Sequence, residues 1–182
     1  MDQFGISYSD CQTQTAENDV SISYITPSMA PLSGMPAFRI YTVDPITFGI
    51  LDVETYSADM DQEGFDVRPV WTRIFSDREE YESFVDPPLD HSPKSELTPA
   101  FWHNVTTFLE SNAAAFNAYW ARRTRCWNVQ PCDSDCRKQE ICLLQAARSQ
   151  DNCHKVMPTN FGTRRKSEST SNSQRNAREL LA

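Results

Sequence analysis

The densest group of reactive side chains is Cys132-x3-Cys136-x5-Cys142-x10-Cys153, followed at once by His154. Four thiols and an imidazole form a donor set for structural zinc. Such sites usually bring their ligands in as close Cys-x2-Cys knuckles, however, and no such pair occurs here. Two disulfides, local along the chain, fit better. Cys132 stands just before a helix cap and Cys136 in the first turn, while Cys142 sits mid-helix and Cys153 on the return after it. Cys11 and Cys126 are left over, either as a long-range bridge or as two free thiols.

The remaining candidates for chemistry are sparse. His91 lies in a Pro-rich loop, His103 in a helix beside Trp102, and His154 beside Cys153; none has a second histidine within four positions. No Ser or Cys stands in a nucleophile-elbow setting. A lone helical histidine such as His103 reads first as a hydrogen-bonded packing residue. Asp52, Glu54 and Asp59 alternate along one strand and its extension, a pattern that suits a metal-binding edge or, more simply, a solvated sheet face. Five glycines include no phosphate-cradling loop. By itself the sequence contains no complete active site: no catalytic, metal-ligating or cofactor-binding residue is assigned.

The elements that position these residues follow from periodicity. Residues 20–26, 37–44 and 48–56 alternate apolar with polar and are rich in β-branched and aromatic side chains, as are the shorter 5–9 and 69–75. Asp44-Pro45-Ile46-Thr47 is a turn that makes a hairpin of the second and third strands. PSMAPLSGMP, between the first and second of these strands and with three prolines, predicts an irregular loop. After residue 76 the period becomes helical. Ser76 to Glu79 reads as a capping box, and Thr98-Pro99 opens a longer helix. That helix carries an apolar stripe through Phe101, Val105, Phe108, Leu109, Phe116, Tyr119 and Trp120, which reads as core, and Ser111-Asn112 divides it. A last helix starts near Asp133 and runs to about Ser149. From Met157 the chain has no periodicity and reads as disordered.

The chain has 182 residues and a net charge of −8. From Thr163 onward five basic residues face two acidic ones, so the tail carries +3 and the remainder −11. An acidic body of this kind cannot neutralise nucleic-acid phosphates, which excludes that partner. No apolar run approaches the ~20 residues of a transmembrane helix, and the first residues lack the features of a signal peptide. Yet five of the six cysteines fall between Cys126 and Cys153, and Asn104-Val105-Thr106 is a glycosylation sequon. Together they point to an oxidising compartment and to glycosylation at Asn104.

Several segments together resemble the acid sphingomyelinase family, secreted or lysosomal calcineurin-like metallophosphoesterases, with fungal members closest. The family carries Gly-His-x-His, one variable residue, then Asp-Glu-Phe entering a strand. Here Met1 stands at the variable position and Asp2-Gln3-Phe4 follows, with Gln for Glu. YITPSMAPLSGMPAFRIYTVD is similar to the family's Ala-Pro-Ser-type loop and its next strand, and LDVETY to the strand after. FWHNVTTFL is similar to a Trp-His-Asn helix, and Cys132, Cys136, Cys142 and Cys153 follow the cysteine ladder of its C-terminal region. The likeness runs from Asp2 to about Met157.

The resemblance implies an α+β fold: the C-terminal strands of a two-sheet metallophosphoesterase sandwich over residues 1–76, helix and Pro-rich linker over 77–97, a helical, disulfide-stabilised subdomain over 98–157, and a tail over 158–182. It implies phosphodiester hydrolysis, sphingomyelin giving ceramide and phosphocholine, by two zinc ions held by Asp, His and Asn side chains. Every family ligand motif falls before Met1, so the expectation is a C-terminal portion that binds no zinc and is inactive alone. For the intact protein the resemblance implies the extracellular space or a lysosomal or vacuolar lumen. The competing reading is a non-catalytic remnant of the fold that binds lipid or a protein partner.

Overall fold

The computed structural model describes residues 3–31, 34–85 and 95–148. His91, Cys153, His154, Met1, Asp2 and the basic tail lie outside them. The protein is α+β. Five strands, β1 (Gln3–Tyr8), β2 (Asp19–Ile25), β3 (Ala37–Val43), β4 (Ile50–Ala58) and β5 (Trp71–Ser76), precede four helices, α1 (Asp77–Tyr81), α2 (Pro99–Ser111), α3 (Ala113–Arg123) and α4 (Ser134–Leu144), among the described residues. The strands form two antiparallel sheets, β1-β2 and β3-β4-β5.

In the smaller sheet Phe4 pairs with Tyr24 and Ile6 with Ile22; in the larger, Tyr41 pairs with Val53 and Thr55 with Phe75. The alternation read from sequence puts one face of the larger sheet inward, whereas β1 in the smaller is buried on both. Phe4, Ile6, Tyr8 and Val53 join Tyr81, Phe101, Trp102, Val105, Leu109, Phe116, Tyr119, Ile141 and Leu144 in one cluster of buried side chains. Strand and helix halves therefore share a core, and Trp102, 1% exposed, touches Phe4, Tyr24, Tyr81 and Phe101. No helix among the described residues is long and apolar enough to cross a membrane.

The caps act where the sequence put them. Ser76, Thr98, Asn112 and Asp133 each accept from the backbone N–H three residues on. Asn112 closes α2 and opens α3, so its short side chain produces the break between two helices that an uninterrupted apolar stripe would not show.

Three expectations need correction. The capping box at Ser76 is only half formed: Glu79 turns to Arg73, whose Nη2 donates to both its oxygens at 3.0 and 2.8 Å, because an ion pair outcompetes a backbone amide. Strand β4 starts at Ile50 rather than residue 48, since Phe48 takes φ +60° and donates its N–H to Asp44 O, closing the turn before the ladder begins. Helix α4 ends at Leu144, five residues short of its predicted end, where Gln145 and Ala146 N–H fold back onto Cys142 and Leu143 carbonyls.

Candidate functional site

The chemically richest place in the fold lies where β1 begins. Strand β1 is buried at all six positions. Its polar residues therefore need internal partners. Gln3 Nε2 donates to Glu140 Oε1 on α4 at 3.1 Å, and Tyr119 on α3 donates its hydroxyl to the same oxygen at 2.6 Å. Arg123 Nε stands 2.8 Å from that oxygen. Its N–H is not aimed along a hydrogen-bond direction, so charge rather than a directed bond holds the pair. Glu140, 3% exposed, thus faces one guanidinium and two neutral donors inside an otherwise apolar core. The Tyr119 hydroxyl is held well above its ordinary pKa, by burial first and then by the Glu140 charge.

A second arginine lines the same place. Arg122 Nη1 bonds Glu80 Oε2 at 2.8 Å, and the guanidinium lies 5.0 Å from the Tyr81 ring centre and 5.9 Å from that of Phe75. Its Nε and Nη2 have no hydrogen-bond acceptor among the described residues, and the aromatic faces take their place. Burial pushes the Tyr81 phenol up to about 12. Gln3, Tyr24, Asp77, Trp102, Arg122 and Arg123 enclose a cavity of about 10 Å³, whereas small-molecule sites run to roughly 300–1,000 Å³. At most one water fits. The cluster ties β1 to the helices and is not a substrate pocket.

The residues singled out from sequence do not converge. Asp52 accepts from Ser76 Oγ at 2.9 and 2.8 Å and from Arg78 N at 3.0 Å, fastening β4 to the start of α1. Glu54 pairs with Arg73 at 2.8 Å, and Asp59 caps its own turn through Asp61 N. The metal-edge reading of these carboxylates therefore fails. Among the described residues no three His, Cys, Asp or Glu side chains are gathered to hold a metal, so the two-zinc arrangement implied by the resemblance does not fit this set.

His103 Nδ1 lies 2.8 Å from the Tyr8 hydroxyl, and burial holds its pKa below the ordinary value against the opposing charges of Asp19 and Glu17. Cys132 and Cys136 are joined, with Cα atoms 5.3 Å apart; Cys142 is disulfide-bonded, and Cys11 and Cys126 are free. Asn104 is half-buried on α2, while Thr106 of its sequon is fully buried and donates to Trp102 O at 2.8 Å.

The Gln3, Tyr119, Arg123 and Glu140 cluster was not read from the sequence. Its one signal was Arg122 and Arg123 placed three and four residues after Tyr119, at the end of an apolar stripe where a helix wants cations for its dipole anyway.

Comparison with known proteins gives the chain relatives. It is 29% identical over 147 residues to sphingomyelin phosphodiesterase 1 of Caenorhabditis elegans, covering 80% of this chain and 24% of that protein. It is 32% identical over 155 residues to sphingomyelin phosphodiesterase B of Dictyostelium discoideum, covering 80% of this chain and 22% of that one. The chain is similar to sphingomyelin phosphodiesterases. It spans about a quarter of the length of these relatives. No family model matches it. The alignments cover 80% of the chain, so the likeness is spread along it rather than confined to a local motif.

Proposed function

We propose that this chain is the C-terminal portion of a secreted sphingomyelin phosphodiesterase-like hydrolase of the calcineurin-like metallophosphoesterase type, and of its fungal branch. The observation that carries the reading is the likeness to two proteins named sphingomyelin phosphodiesterase over 80% of the chain. The substrate is a phosphodiester lipid, cleaved between ceramide and phosphocholine. Two zinc ions and their Asp, His and Asn ligands belong to sequence preceding Gln3, a reading supported by Asp52, Glu54 and His103 being committed to a helix start, an ion pair and packing. The part played by this chain is to fix β1, the strand that would follow the last ligand pair, through the Glu140 cluster and the aromatic core.

The compartment is the extracellular space or a lysosomal or vacuolar lumen. The Cys132–Cys136 bridge and the Asn104 sequon support it. Non-reducing peptide mass spectrometry of secreted material should recover Cys132 joined to Cys136 and Cys142 joined to Cys153; all four as free thiols would sink the compartment.

The deciding experiment measures phosphocholine release from sphingomyelin by this chain and by the same chain preceded by its upstream genomic sequence. The longer protein should turn over in a chelator-sensitive manner while the chain alone does not. An upstream stop codon, or an inactive longer protein with zinc bound, would favour the non-catalytic remnant instead.

A further inference from the structure

The most conspicuous feature left unused is the tip of the β3–β4 hairpin. Ile46 is 84% exposed and Phe48 78%, two large apolar side chains separated by Thr47 on one tight turn. The turn is closed at its base by Asp44 N–H to Gly49 O at 2.9 Å and Phe48 N–H to Asp44 O at 2.9 Å. Within it, Asp44 Oδ1 accepts from Ile46 N at 2.8 Å and Thr47 N at 3.0 Å. Thr47 Oγ1 donates to Glu96, and Leu97 N–H reaches Ile50 O at 2.7 Å, so the turn is also fastened to the chain entering α2. A Cβ at Gly49 would stand 2.0 Å from the Glu96 carboxyl carbon, so the Glu96 side chain lies directly against the turn. Phe48 holds φ +60°, a backbone region costly for a bulky side chain. A rigid turn thus presents two side chains to water that a polar turn would not carry.

We propose that this turn, through Ile46 and Phe48, docks on a bilayer of zwitterionic phosphocholine lipids. The area argues against a protein partner. Two side chains on a convex tip supply a few hundred Å² at most, against roughly 1,200 Å² or more for a stable protein interface, whereas partitioning into a membrane interface scales with whatever apolar area is offered. Charge selects the lipid: Asp44 and Glu96 flank the apolar pair and the whole chain carries −8, so an anionic surface would repel what a net-neutral one accepts. The choice of phosphocholine lipid rests on the sphingomyelin reading above; the docking itself rests on the tip.

The test is flotation of the full chain with vesicles of dioleoylphosphatidylcholine, which contain no sphingomyelin, so that failure of docking and failure of hydrolysis are separate results. The chain should float with the vesicles, and Ile46→Ser with Phe48→Ser should lower partitioning by about tenfold or more with an unchanged thermal melt. Phe48→Trp should add blue-shifted, brominated-lipid-quenchable emission beyond that of the parent. Adding phosphatidylserine should weaken binding. The proposal is overturned if the parent does not float, if the double variant floats equally well, or if phosphatidylserine strengthens binding. Sedimentation equilibrium showing a parent dimer that the double variant dissociates, with no flotation of either, would assign the tip to a second copy instead.

Discussion

Strand β1 and the β3–β4 hairpin are alike in the sequence and opposite in the fold. Both are short runs of alternating apolar and polar residues. Yet β1 is buried at every position, polar residues included, while the hairpin ends in a tip that leaves Ile46 and Phe48 in water. The difference lies in what covers each strand. β1 has β2 beside it, α2 against it, and the end of α4 over it, where Ala147 N–H bonds Ile6 O at 3.1 Å. Among the described residues, the hairpin tip has a covering only at its root, through Glu96 and Leu97. Burial of polar groups forces internal partners; exposure of apolar ones invites an external one.

The contrast breaks most readily at Glu140. Glu140→Ala would leave Gln3, Tyr119 and Arg123 facing one another without their shared acceptor; loss of one partner of a buried charge pair costs about 3–5 kcal/mol. Urea unfolding should show this, and a change within error would mean that β1 is not held by the cluster. Asp52 is the next lever. Asp52→Ala removes the acceptor of Ser76 Oγ and Arg78 N, for which about 1–3 kcal/mol is expected from leaving part-buried donors unsatisfied. Gly5→Ala probes the cover over β1 directly. Its new Cβ would meet Ala147 Cβ at 3.2 Å, so the chain just after α4 must yield, at a cost of about 1 kcal/mol.

How much of this was legible depends on the distance over which each signal acts. The strands, the hairpin and the caps at Ser76, Thr98, Asn112 and Asp133 are local: a side chain reaches its own backbone three residues on, or alternation declares one inward face. The Asp44 turn was readable for the same reason. What was not readable is long-range. Gln3 and Glu140 are 137 residues apart, and nothing in either neighbourhood announces the other. The double burial of β1 was likewise hidden, because alternation looks the same whether the polar face meets water or a helix end. The metal-edge pattern of Asp52 and Glu54 was equally blind to Ser76 and Arg73, the residues that occupy those carboxylates.

A smaller effect sharpens the comparison at its pH-sensitive edge. His103 packs on Tyr8 with its pKa lowered by burial from the ordinary 6.5, so the folded state takes up its proton later than the unfolded one does. The unfolded chain then binds more protons near pH 6. Stability should fall as pH drops below about 6.5 towards the lower folded value and level off beneath it. Asp19, raised by burial, acts in the opposite sense further down. Thermal melts of the parent and His103→Gln across this window isolate the histidine: the parent should lose more stability on acidification, and identical slopes would place His103 in water. The smallest effect belongs to the tip. Ile46→Ser with Phe48→Ser should change stability by no more than about 0.5 kcal/mol, because neither side chain contributes to the core.

The central claim is that the described residues build a fold and a polar tie, and the proposal that goes with it is that any metal chemistry is supplied by other sequence. Zinc titration of the purified chain by calorimetry, with the metal content of the dialysed product measured afterwards, tests it most directly. The account predicts no stoichiometric zinc at neutral pH, with the fold intact. Two tightly held equivalents, displaced by a chelator, would contradict it.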